Sequence, residues 1–285
     1  VYLDGQSQMQ PKRMTISLAS SAPIDLYPYL EIGAAQSKMG DPIILHKQLP
    51  IHFGHFRNAK CELDFLIVCS DLQGLVQHNG EDKLLGTELP EYLQLLIELE
   101  LADHKKPKIG VLLCGDLYSN LKKRGASGDV RAVWMSFKEQ FDWVVGVAGN
   151  HDRFGTAREK EEFEGVENIH LLHKKMLEID GLQIAGISGI IGRADKINRV
   201  AEMEYLETLR FLLRKEPDFL LLHETPNHPE KGCAGNEKIR EVIEEGPASK
   251  IFCGHCHWDT PLVRLKNDSQ VLNVDARVVI LKRQT

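Results

Sequence analysis

Seven side chains able to hold a metal ion or move a proton stand in five short motifs: Asp71, Asp116, Asn150, His151, His223, His255 and His257. Each motif directly follows an apolar run. The runs are Phe65–Ser70, Ile109–Cys114, Trp143–Ala148, Phe219–Leu222 and Lys250–Cys253. They lead into Asp71-Leu72-Gln73, Gly115-Asp116, Gly149-Asn150-His151-Asp152, His223 and Gly254-His255-Cys256-His257. Carboxylate, amide and imidazole donors together suit Mn²⁺, Fe or Zn²⁺ better than Ca²⁺ or Mg²⁺ alone. Strands that each end in such a donor bring them to loops at one sheet edge, the way a two-metal site is assembled.

Singly these motifs say little. Gly-Asp after a strand is a common turn or helix cap, and a lone histidine such as His223 is more often an ordinary hydrogen-bonded residue than a ligand. The Gly-Asn-His-Asp and Gly-His-Cys-His runs are more specific. All five together, in this order over Asp71–His257, form a pattern that resembles the calcineurin-like metallophosphoesterase superfamily. Its motifs are D-x-H, G-D, G-N-H-D/E, H and G-H-x-H. One position departs: Gln73 stands where the family has histidine.

The resemblance implies a four-layer α/β/β/α sandwich with two mixed sheets. It implies hydrolysis of a phosphomonoester or phosphodiester by a hydroxide bridging two divalent cations, Mn²⁺ foremost with Fe or Zn²⁺ as alternatives. Two cations roughly 3.5–4 Å apart need a shared carboxylate, and in the family that is the G-D aspartate, here Asp116. The first metal would be held by Asp71, Gln73, Asp116 and His257, the second by Asp116, Asn150, His223 and His255. His151 would face the leaving oxygen as proton donor. Asp152 is expected to fix its ring from behind. Arg153 and Arg193 are candidate phosphate contacts. An amide oxygen at position 73 is a weaker ligand than imidazole, so the first metal should be the looser one.

The whole chain fits these expectations. It has 285 residues, 42% hydrophobic and 27% charged, which suits one large soluble domain or two ordinary ones. A net charge of -6 gives no global support for a nucleic-acid surface, so a small phosphate ester is the expected substrate and a nuclease of the same fold an alternative. A second alternative is a catalytically weakened scaffold for protein interaction, which Gln73 favours and the remaining ligands oppose. No apolar run reaches the roughly 20 residues of a membrane span, and Val1–Arg13 lacks a signal core. The expected location is cytoplasmic, with no membrane partner. Six cysteines are too sparse for a disulfide framework.

From Cys61 onward short apolar strands alternate with helical patterns. Helices are expected at Thr87–His104, with a stripe of Leu89, Leu93, Leu96, Leu99 and Leu101, and at Val130–Phe141, Arg158–Phe163, Ala201–Lys215 and Glu237–Glu245. Further strands are expected at Lys175–Ile179, Leu182–Ile187, Leu262–Lys266, Gln270–Val274 and Val278–Leu281. Residues 1–60, interrupted by Pro23, Pro28, Pro42 and Pro50, read as an N-terminal extension with strands at Met14–Ala19 and Ile43–His46. It packs on a main domain of residues 61–285.

Overall fold

The computed structural model describes residues 14–33, 43–58, 60–100 and 106–284. Buried side chains within them fall into three separate apolar clusters. Three such interfaces require four layers, and the strands show how they arise. Along Phe65–Ser70 every residue is buried. Phe65, Ile67 and Cys69 enter one cluster while Leu66 and Val68 enter the next. Phe219–Leu222 does the same, with Phe219 and Leu221 facing the middle and Leu220 and Leu222 the third cluster. Side-chain alternation thus turns a continuous apolar run into a strand covered on both faces.

The larger sheet has ten strands. Its order is Ile169–Leu171, Trp143–Gly146, Ile109–Leu113, Phe65–Ser70, Arg277–Gln284, Ile44–Arg57, Asp25–Ile32, Leu75–His78 and Glu81–Leu84, with Thr15–Leu18 also on Ile44–Arg57. The first four run parallel. The helices Leu85–Glu100, Arg131–Gln140 and Ala157–Glu164 bury residues in the cluster on its outer face. The second sheet runs Lys175–Ile179, Leu182–Ile187, Phe219–Leu222, Lys250–Cys253, Gln270–Asn273 and Leu262–Arg264. Its four central strands are parallel and its edges antiparallel. Helices Glu202–Leu213 and Glu237–Glu245 cover its outer face. The result is the expected α/β/β/α sandwich of two mixed sheets.

Several local expectations are corrected. The first helix buries Leu85, Leu89, Leu93 and Ile97, while Leu99 is 75% exposed. A strict four-residue step follows the helix face more closely than the stripe read from the sequence. Leu101 and the end of the expected helix lie outside the described residues. Pro90 sits in the second turn of this helix. In Glu202–Leu213, Met203 and Phe211 face outward and Tyr205 takes the buried place.

The strand expected at Ile43–His46 runs on to Arg57, and Asp25–Ile32 is a strand not anticipated. Pro28 and Pro50 hid both. Pro50 precedes Ile51, where pairing with Arg277–Gln284 begins, so the ladder on that side starts just after the proline. The polar hairpin Leu75–His78/Glu81–Leu84 was also missed, although Asn79 and Gly80, both at positive φ, carry the turn signal.

Candidate metal centre

Five ligand-bearing loops meet where the parallel strands of both sheets end. Asp71 N–H donates to Gly115 O at 2.8 Å, and Gly254 N–H to His223 O at 3.2 Å. The Thr225 hydroxyl donates to Gly254 O. His255 N–H reaches across to Asp71 Oδ2 at 2.9 Å, tying the second sheet's last loop to the first sheet's first loop. The approach is close enough to dictate glycine. A Cβ at position 149 would overlap Asp116 Oδ1, and one at 254 would overlap Ser70 Oγ and Asp71 Oδ2. Asp71, Asp116 and His255 hold φ of 53°, 54° and 69°. That left-handed backbone costs an L residue about 1–2 kcal/mol and is concentrated at functional sites.

The second set of expected ligands converges. One ligand atom each from Asp116, His223 and His255 lie within 4.8 Å of one another. His223 is fully buried, with Nδ1 2.8 Å from Cys114 O and Nε2 3.4 Å from Asp116 Oδ2. The carbonyl fixes the tautomer, leaving Nε2 as the nitrogen aimed at the centre. Nε2 has no hydrogen bond, and neither has the buried Asn150 Oδ1. Two buried polar atoms without partners beside a carboxylate would be costly in a finished core. With Asp116 and His255 they make a donor set that fits a divalent metal ion.

Electrostatics agrees. Burial alone would lower His223, but Asp116 beside Nε2, with Asp71 and the Cys114 carbonyl, raises it to about 10. Burial alone would raise Asp116, yet the adjacent His223 charge, with the His151 N–H, holds it below the ordinary carboxylate value. Without metal, a proton on His223 therefore supplies the cation that Asp116 requires. Burial, reinforced by the His223 charge, lowers His255 to about 4 and keeps it neutral. Burial and the neighbouring Asp275 raise Asp71.

The first set is arranged differently. Gln73 turns its amide nitrogen to the centre and donates to Asp116 Oδ2 at 2.9 Å. His257 is largely exposed, its Nδ1 3.1 Å from Asp275 Oδ2 and its Nε2 3.2 Å from Arg277 Nη2. Of this set, Asp71 and Asp116 face the centre's hydrogen-bond network. His257 is held by Asp275 and Arg277, and Gln73 meets Asp116 through its amide nitrogen and not through its oxygen. Asp275 and Arg277 were not singled out in the sequence, because one follows a strand with no motif and the other opens the last strand.

Asp152 requires a correction. Its carboxylate does not hold the His151 ring. Oδ2 accepts from Asp116 N–H at 2.9 Å and Gly149 N–H at 2.8 Å, and Oδ1 accepts from Leu117 N–H at 2.8 Å. A buried carboxylate with three backbone donors clasps the Asp116 and Asn150 loops together. The ring partner of His151 is Ser127, whose Oγ lies 3.3 Å from Nδ1. Ser127 sits in a Gly/Ser stretch whose only sequence cue is composition. The His151 N–H donates to Asp116 Oδ1 at 2.8 Å.

Of the two expected phosphate contacts, Arg153 adjoins the site and bonds the Asp152 carbonyl at 3.0 Å. Arg193 is not brought in: it is exposed and paired with Asp195 in its own loop at 2.6 Å. Trp258 is core, its Nε1 donating to Ala234 O at 2.6 Å. The cysteines among the described residues are all free. No helix among those residues is long and apolar enough to cross a membrane.

A four-layer sandwich with carboxylate, amide and imidazole donors at the strand ends defines a class, the metal-dependent phosphoesterases. This chain belongs to the calcineurin-like phosphoesterase family, whose family model matches residues 66–259. The crystal structure of a Thermus thermophilus protein, TT1561, shares the fold: it is 17% identical, with a TM-score of 0.54 over 75% of this chain and 90% of that one. No curated protein gives a significant match.

Proposed function

We propose that the chain hydrolyses a phosphomonoester or phosphodiester with the help of divalent metal, Mn²⁺ foremost. The observation that carries this reading is the pair of buried, unpartnered polar atoms, Asn150 Oδ1 and His223 Nε2, close to Asp116. Asp116, Asn150, His223 and His255 would hold one cation. A second would use Asp71, Asp116, Gln73 and His257, after Gln73 turns its amide to present oxygen and His257 leaves Asp275. Metal in such a site supplies Lewis acidity toward phosphoryl oxygens and makes water a better nucleophile at neutral pH.

The protein's own groups supply the remainder. In the tautomer in which Ser127 donates to Nδ1, the His151 proton is on Nε2, which has no partner among the described residues and can protonate the leaving oxygen. Asp152 holds His151 in place only through the backbone, by fixing the Gly149 and Asp116 amides. A cavity of about 410 Å³ opens beside Gln73, with Tyr118, Lys123 and Arg124 in its walls. Two cations against the one carboxylate of Glu31, with an aromatic ring, suit the phosphate and body of a small ester. The test is hydrolysis of an aryl phosphate and an aryl phosphodiester with added Mn²⁺, with and without chelator. Turnover that requires metal and falls on His151→Ala supports the reading. Metal-loaded protein inert toward both esters and toward a nucleotide panel removes it.

A further inference from the structure

A second cavity, of about 430 Å³, shares no residue with the candidate ligand set. Its wall includes Ala148, the residue before Gly149 of the catalytic loop. Buried Phe154, Leu171 and Val200 supply apolar surface, while Lys160, Lys175 and Arg199 bring three cations to it. The one carboxylate there, Glu164, lies 3.7 Å from Lys160 Nζ. The Lys175 and Arg199 side chains have no hydrogen bond or close ion pair among the described residues, although Glu224 feels the Arg199 charge. His173, also in the wall, is solvent-exposed; partial desolvation and the charges of Lys174 and Lys160 beside it lower its pKa. On a chain of net charge -6, a concave site with unpaired cations around apolar side chains is built for an anion.

The same cavity touches the machinery through Asn198. That side chain donates from Nδ2 to Gly149 O and to Asp152 O, each at 2.8 Å. It thereby clamps both ends of the loop that carries Asn150 and His151. The next residue, Arg199, is one of the cavity's unpaired cations. Ser188, in the same wall, accepts from Ala148 N–H at 2.9 Å and donates to Leu172 O at 2.6 Å, fixing the strand end from which the loop departs.

We propose that this cavity is an effector site for a small anion with an apolar body, an aryl or alkyl phosphate, phosphonate or carboxylate. Its occupancy is felt by the Gly149–Asp152 loop through Arg199 and Asn198. Binding at this site does not depend on the proposed activity. Only the use of the response as regulation rests on that reading.

The test uses the full chain stripped of metal and phenylphosphonate, which no phosphoesterase can hydrolyse as an ester. Calorimetry should show a saturable site beyond any contributed by the Lys123/Arg124 cavity. The double change Lys175→Glu and Arg199→Glu should weaken it at least about tenfold, since charge-assisted contacts are lost and repulsion is added. The change Lys123→Glu and Arg124→Glu, in the other cavity, should leave it intact. Inorganic phosphate should bind more weakly than phenylphosphonate, because it makes no use of Phe154, Leu171 and Val200. Hydrogen exchange at the Gly149–Asp152 amides should respond to phenylphosphonate in the native chain. It should not respond in Asn198→Ala, which still binds. The proposal is overturned by any of four results: no binding at millimolar probe, equal binding in the Lys175/Arg199 variant, binding lost only in the Lys123/Arg124 variant, or inorganic phosphate binding as tightly as phenylphosphonate. A loop response identical in Asn198→Ala overturns the coupling.

Discussion

Asp152 offers a test of how the centre is held together, because its carboxylate is 1% exposed and accepts three backbone N–H groups from two ligand loops. Asp152→Ala orphans the Asp116, Leu117 and Gly149 amides. Each hydrogen bond to a charged group is worth about 1.5–3 kcal/mol. Relief of a buried charge and entry of water offset part of that, so a net loss of about 3–4 kcal/mol is expected. Asp152→Asn should cost about 1–2 kcal/mol, since its NH₂ must face at least one of the three donors.

The two changes also differ from the native chain in pH dependence. Burial, and next the Asp116 charge, raise Asp152 to about 6 from an ordinary value of 3.8. The folded state therefore holds this proton more tightly than the unfolded one. The stabilising contribution is fully present below the lower value and is lost as pH rises through the folded value. Between about pH 4.5 and about pH 7, the native chain should lose about 2 kcal/mol relative to Asp152→Asn. Urea denaturation of the metal-free chains at several pH values measures both effects. If Asp152→Ala costs under about 1 kcal/mol, or the native-minus-Asn difference is flat with pH, the clasp is not what orders these loops.

Three further outcomes follow from the same geometry. Gln73→His should tighten the weaker metal site and raise activity at limiting Mn²⁺, with little change at saturation; a metal titration in which both affinities stay fixed would remove Gln73 from the coordination sphere. His151→Ala should lower turnover by roughly 10²–10⁴-fold at near-normal metal content, whereas Asn150→Ala should shed metal, and elemental analysis beside kinetics separates the two. Metal uptake should release a proton from His223, which sits at about 10 in the metal-free chain. The apparent affinity should then rise with pH, by up to about tenfold per unit below that value, and calorimetry in buffers of different ionisation enthalpy reads the proton directly.

Much of this was legible in the sequence. The apolar runs ending at Ser70, Cys114, Ala148, Leu222 and Cys253 fixed the parallel strands, because burial on both faces leaves an uninterrupted hydrophobic signal. The glycines at 149 and 254 marked the close approaches that the structure contains. Other features escaped because their cause is tertiary. Asp152 in a Gly-Asn-His-Asp run says nothing of which donors will surround it, and its partners Asp116 and Leu117 come from another strand end. Ser127 meets His151 only through loop folding. Arg193, next to a glycine-rich turn, had a nearer carboxylate in Asp195. The missed hairpin at Asn79-Gly80 did carry a local signal, obscured by its polar, exposed strands.

The most direct test of a metal-dependent phosphoesterase built on Asp116, Asn150, His223 and His255 is a Mn²⁺ titration of the metal-free full chain, with aryl phosphate hydrolysis followed at each step. The expected result is a tight first ion, a weaker second one, and activity that follows the weaker. His223→Ala should abolish the tight phase. Absence of bound metal and of metal-dependent hydrolysis, in a chain that is folded by circular dichroism, would contradict the account.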